Sequence, residues 1–208
     1  MKISLIAFPA ALLMAALVPE ISGASVVLDT GTPSTAGLPY TLNGTTFYAA
    51  EFNLGANQTI TGVQAFLTAG QDQPGDTFTI ALYDAAGFTG NYPNQLFSSQ
   101  AAYNTDGWNG SSNLAWTPGT AGEYWVALEV GLNDSAVGLA LPTPATGGTA
   151  PALAFASNQG NGYALGGPAI GLQVTATTPV PLPGTAWLLA SGLLGAGALG
   201  RSRAAKRA

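Results

Sequence analysis

Between Ser25 and Thr178 the chain is dominated by apolar residues that recur at every second position. Phe78, Ile80 and Leu82 alternate with Thr77, Thr79 and Ala81. Tyr124, Val126, Leu128 and Val130 alternate with Trp125, Ala127 and Glu129, and Ile170, Leu172 and Val174 with Gly171, Gln173 and Thr175. A strand turns successive side chains to opposite faces, so this spacing predicts strands with one face in a core and one face outward. Tyr48–Leu54, Thr59–Thr68, Leu96–Tyr103 and Ala152–Phe155 are further strand candidates. Asn43-Gly44, Gln73-Pro74-Gly75, Thr117-Pro118-Gly119 and Gly147-Gly148 supply the turns between them. No long stretch of this region repeats with a helical period. The expected fold is all-β, a β-sandwich of jelly-roll type over residues 25–178.

Charge narrows what such a domain can do. All five Lys and Arg of the chain are Lys2, Arg201, Arg203, Lys206 and Arg207, and there is no His or Cys. Residues 25–178 therefore carry no cation, while they hold every Asp and Glu of the chain except Glu20. A surface without cations cannot neutralise phosphates or release their counterions, so nucleic acid is not an expected partner. Without His or Cys there is no Ser–His or Cys–His nucleophile and no imidazole or thiolate metal ligand. Glycoside hydrolysis needs only two carboxylates and passes this filter, but nothing in the spacing makes two of them converge. Glu129, outward by parity, is expected to be solvated. The expectation is a protein without enzymatic activity or cofactor.

The two ends differ from the middle. Lys2 precedes the apolar run Ile3–Val18, and Ser22-Gly23-Ala24 follows with small residues at the positions that signal peptidase reads. That order is a secretory signal peptide over residues 1–24, cut after Ala24. At the other end, residues 179–208 hold three parts in succession. Val180-Pro181-Leu182-Pro183 comes first, then an uncharged apolar stretch from Gly184 to Gly200, then the basic tail with Arg201, Arg203, Lys206 and Arg207. As a helix, 184–200 spans roughly 25 Å, the short limit for crossing a bilayer. The basic tail would stay on the cytoplasmic side, which places the domain outside the cytoplasmic membrane.

Val180-Pro181-Leu182-Pro183-Gly184-Thr185-Ala186-Trp187-Leu188 and Ser191-Gly192-Leu193-Leu194-Gly195 resemble the PEP-CTERM sorting signal of Gram-negative bacteria, in its Val-Pro-Leu-Pro form. Leu182 stands where the namesake glutamate would be. The resemblance covers the C-terminal segment alone. It implies processing by an exosortase-like membrane enzyme, a single-pass anchor before processing, a final place at the cell surface or outside the cell, and an association with exopolysaccharide or biofilm matrix. Two other readings of the same segment stay open. Leu182-Pro183-Gly184-Thr185-Ala186 is one residue from the sortase pattern L-P-x-T-G, and a plain membrane anchor needs no motif at all. Gly75–Asp84 and Ala121–Leu128 are similar to extracellular sandwich domains found beside several kinds of C-terminal anchor, which implies the fold and no activity.

For the domain itself the alternative to a matrix protein is a carbohydrate-binding module. Trp125, Trp108 and Trp116, with Tyr92, offer flat apolar surfaces for sugar rings, although large aromatics more often fill a core. Trp125 is the sharpest case, because alternation sets it opposite Tyr124 and Val126. Its expected role is nonetheless structural, since an outward Trp on a sandwich is often covered by a loop or a neighbouring strand. Asp72, Asp76 and Asp106 with Asn104 place oxygen atoms on turns, where Asp and Asn are also ordinary turn formers; no EF-hand spacing is present, so no metal site is expected.

Overall fold

In the computed structural model, residues 23–34, 39–90, 93–144 and 147–178 are described. Residues 1–22 of the signal peptide, the sorting motif Val180–Pro183, the basic tail and Tyr92 lie outside them. So does the expected membrane helix; no helix among the described residues is long and apolar enough to cross a membrane.

The described residues are all-β. In chain order the strands are β1 (Ala24–Asp29), β2 (Tyr40–Leu42), β3 (Phe47–Leu54), β4 (Thr59–Leu67), β5 (Thr77–Asp84) and β6 (Gln95–Ala102), followed by β7 (Gly107–Ser111), β8 (Gly122–Glu129), β9 (Leu139–Leu141), β10 (Phe155–Asn158), β11 (Tyr163–Leu165) and β12 (Leu172–Thr177). One sheet has the order β1-β12-β4-β7, a second β11-β10-β3-β8-β5-β6, and β2 pairs with β9. Every paired strand is antiparallel.

The two larger sheets share one apolar core in a sandwich-like arrangement. Leu28, Ile60, Val63, Leu67, Leu172 and Val174 from the four-stranded sheet pack in one cluster with Phe52, Phe78, Ile80, Leu82, Val126 and Leu128 from the six-stranded sheet. Full burial of each such side chain is worth about 1.5–3 kcal/mol. Leu42, Leu139 and Leu141 bring the small β2–β9 sheet into the same core. The alternation along β5 and β8 thus points its apolar residues where the spacing predicts.

Two strands obey a modified rule. In β4 the buried apolar side chains are Ile60, Val63, Ala65 and Leu67, a switch of parity within one strand. The register explains it: Thr175 faces Gly62 but Ala176 faces Ile60, so β4 carries one extra residue there. Such a bulge flips the side-chain phase without ending the strand. The segment expected at Ala152–Phe155 is displaced. β10 begins at Phe155 and runs to Asn158, and its ladder with β3 pairs Phe155 with Ala50 through to Asn158 with Phe47. Leu153 and Ala154 still exchange backbone hydrogen bonds with Glu51.

The outward face of the six-stranded sheet departs from the expectation of a simple solvent face. Ala156, Ala49, Ala127 and Ala81 are successive partners across β10, β3, β8 and β5, and each is 0% exposed. They form the floor of a second apolar cluster completed by Tyr83, Phe88, Trp125 and Tyr163. Both faces of this sheet are therefore covered at its centre.

Candidate functional site

Trp125 sits in β8 between Glu51 of β3 and Tyr83 of β5, on the face turned away from the main core. The parity is as expected, yet the residue is only 2% exposed. The reason is the loop after β5. The alanine floor has no side chains beyond Cβ, which leaves height for rings to lie over it, and Phe88 fills that space. Its ring stacks on the Trp125 indole with centroids 4.3 Å apart and planes at 9°. It also meets Tyr163 at 4.4 Å and Tyr83 at 5.5 Å. The loop is pinned as well as packed, since Gly90 and Tyr163 exchange backbone hydrogen bonds of 3.0 and 3.1 Å. One face of the indole is taken by Phe88, so the sugar platform weighed as an alternative at Trp125 is closed in this structure.

Glu129 borders the same cluster. The Tyr83 and Tyr163 hydroxyls both donate to its Oε1, at 2.7 and 2.5 Å. It is half-buried rather than freely solvated, which corrects the expectation for it. Burial first, and the Glu129 charge second, hold both phenol protons well above the ordinary tyrosine range. Glu51 is also raised, by burial and then by the nearby Glu123 carboxylate, which outweigh the hydrogen bond it accepts from Trp125. Neither Phe88 nor Tyr163 stood out in the sequence. Phe88 is a lone aromatic in a Gly-rich turn and Tyr163 opens a strand of three residues.

Trp108 and Trp116 are placed differently. Trp108 of β7 pairs with Phe66 of β4 on the outer side of the four-stranded sheet. Their rings meet edge to face at 5.6 Å, and both are half-buried. The next positions on that face carry Gln64 and Gln173, which are cross-strand partners. Trp116 packs against the edge of the main core and edge-on to Tyr124 at 5.4 Å. The Tyr124 hydroxyl donates to the Thr120 carbonyl at 2.7 Å, which fixes the corner before β8. The three tryptophans do not form one row. Each lies in a different environment.

No family model and no curated protein matches this chain.

The turn carboxylates have structural partners. Both Asp72 oxygens accept backbone N–H groups, from Val137 at 2.6 Å and Gly138 at 2.7 Å, and the residue is buried. Asp76 accepts the Gln73 N–H and the Ser135 hydroxyl. Asp106 accepts the Ala69 N–H and the Tyr103 hydroxyl. With no cation between residues 25 and 178, amide and hydroxyl donors take the place of ion pairs, and the carboxylates serve as loop clamps. Among the described residues no group of three or more acidic side chains is placed to hold a metal ion.

Proposed function

We propose that this chain is an exported bacterial protein, held at the cell envelope by its C-terminal segment, without enzymatic activity and associated with extracellular polysaccharide or biofilm matrix. The observation that carries the proposal is the order of parts at the C-terminus: Val180-Pro181-Leu182-Pro183, the apolar stretch 184–200, then Arg201, Arg203, Lys206 and Arg207. It is similar to the PEP-CTERM signal, and an exosortase-like enzyme is the processing partner it implies. The segment 184–200 is the membrane helix of this scheme, and the signal peptide 1–24 supplies export. The sandwich-like domain is of jelly-roll type and stands outside the membrane. The lack of His and Cys in the chain, and of Lys and Arg in 25–178, supports a role other than catalysis.

The test is replacement of Val180, Pro181, Leu182 and Pro183 together by alanine, in a host with an exosortase. Intact mass of the mature protein should show the wild-type chain shortened near the motif and the variant uncut. Equal processing of both would contradict an exosortase-type signal.

A second reading, a carbohydrate-binding module, is supported by one observation. Trp108 and Phe66 form a half-buried aromatic pair beside Gln64 and Gln173 on a sheet face.

A further inference from the structure

We propose that the outer face of the six-stranded sheet binds a neutral, hydroxyl-rich polysaccharide chain, laid across the strands along the row Asn158, Phe47, Glu129, Thr79 and Gln100. The proposal deepens the polysaccharide-associated reading above and rests on it for the class of polymer, but it puts the site away from Trp108.

The register builds the row. Asn158 faces Phe47, Thr79 faces Glu129 on one side and Gln100 on the other. Tyr48 faces Leu128, so Phe47 and Glu129 follow as the next pair. Five strands at the usual spacing give a path of about 19 Å. A cleft opens at each end of it. One, of about 410 Å³, lies between the turn at Gly44-Thr45 and the Asn158–Gly162 turn, with Phe47 in its lining. The other, of about 330 Å³, is lined by Thr79, Ser98, Gln100 and the Gly131–Asp134 loop.

The chemistry along the path suits sugar hydroxyls. Phe47, half-buried against the apolar clusters, lines the first cleft together with Asn158 and Asn161; the Asn158 oxygen accepts the Gly160 and Gly162 N–H groups, which leaves its NH₂ as the donor. At the far end the acceptors and donors are already held in place. The Thr79 hydroxyl donates to Asp134 at 2.7 Å and the Gln100 amide to the other Asp134 oxygen at 2.9 Å. Midway, Glu129 uses Oε1 for the two tyrosines, while its Oε2 has no hydrogen-bond partner among the described residues. That oxygen is not a buried orphan but open to solvent, so a sugar hydroxyl can take the place of water there. Charge selects among polymers. Glu129 and Asp134 lie on the path and residues 25–178 hold no cation, so uronate or sulfate chains are repelled.

The full-length chain, purified in detergent, is run by affinity electrophoresis through gels containing dextran, galactomannan or hydroxyethylcellulose, and through gels containing alginate. Retardation by at least one neutral polymer and none by alginate is expected. The side chains of Asn161 and Ser98 are exposed and make no hydrogen bond among the described residues, so the double variant Asn161→Leu/Ser98→Leu fills both clefts while leaving the fold's own contacts in place. It should weaken retardation by about tenfold or more, with an unchanged melting temperature, and Trp108→Ala should leave retardation as in the wild type. A double variant that melts normally and binds normally overturns the site. Loss of binding in Trp108→Ala alone moves the site to the other sheet and leaves the carbohydrate reading standing. Retardation by alginate overturns the charge argument, and absence of retardation in every gel overturns the carbohydrate reading together with the site. Glu129→Gln gives a second check where the double variant does not fold: it keeps an acceptor for the tyrosines but weakens the one offered to sugar, and unchanged retardation counts against the site.

Discussion

Phe88 lies flat on Trp125, with ring centroids 4.3 Å apart and planes only 9° from parallel. The pair explains how a strand residue of outward parity becomes core. Phe88→Ala should cost about 3–5 kcal/mol, the usual range for truncating a buried aromatic. Trp125→Ala should cost a similar amount, and a double-mutant cycle should return a coupling of about 1 kcal/mol from the ring contact. Denaturant titration of the four proteins measures all three. Native stability in either single variant would show that the second cluster is not packed as described.

Asp72 joins two loops that are distant in the chain, by accepting the N–H groups of Val137 and Gly138. An amide at this position keeps one acceptor and turns an NH₂ towards the other N–H. Asp72→Asn should therefore cost about 2 kcal/mol, in the range for hydrogen bonds to a charged group. Amide exchange at Val137 and Gly138 should quicken in the variant. Unchanged exchange there would mean that the clamp contributes nothing.

The absence of histidine in the chain, and of lysine from 25–178, makes a specific pH profile. No side chain of the domain titrates ordinarily between about pH 6 and 9, so its melting temperature should be nearly flat across that window. Burial pushes the Asp29 carboxyl upward, but hydrogen bonds from Thr149, Gly31 and Gln173 outweigh it and hold the pKa below the usual value. Its stabilisation is present above the ordinary aspartate pKa and is lost as pH falls through the lower folded one. Glu51 is raised, so its contribution is full below the ordinary glutamate pKa and lost as pH rises through the folded one. Glu51→Gln should accordingly help stability more at pH 7 than at pH 4. The hydrogen bond from Tyr103 to Asp106, with burial added, pushes that phenol to about 12, so its contribution is lost only in strong alkali. A melting temperature that changes steeply around neutral pH would contradict this.

The strands of the central sheet were legible because β5 and β8 keep strict alternation, and alternation reports one buried face directly. The second buried face was not. Ala49, Ala81, Ala127 and Ala156 come from four strands far apart in sequence, and only their register shows that they form one floor. The cap above them comes from a Gly-rich turn whose single phenylalanine has no periodic partner. The bulge in β4 hid its phase in the same way, since Ile60 and Val63 fit no single period. Of the sugar-platform candidates, Trp125 was readable in parity and its cover as a general tendency of outward tryptophans, but not that the loop carrying Phe88 supplies it, because that depends on which loop crosses the sheet. Phe47 and Glu129 are brought into one cross-strand row only by the pairing of β3 with β8, which no local pattern encodes.

Export and retention at the envelope are tested most directly by fractionating cells that make the full-length chain beside cells that make a chain ending at Thr178. In a host without an exosortase, the full-length protein should begin at Ser25 by mass and stay with membranes in alkaline carbonate, while the shortened one should be recovered in the periplasm or medium. A shortened protein that begins at Ser25 and still resists carbonate extraction would contradict anchoring by the C-terminal segment.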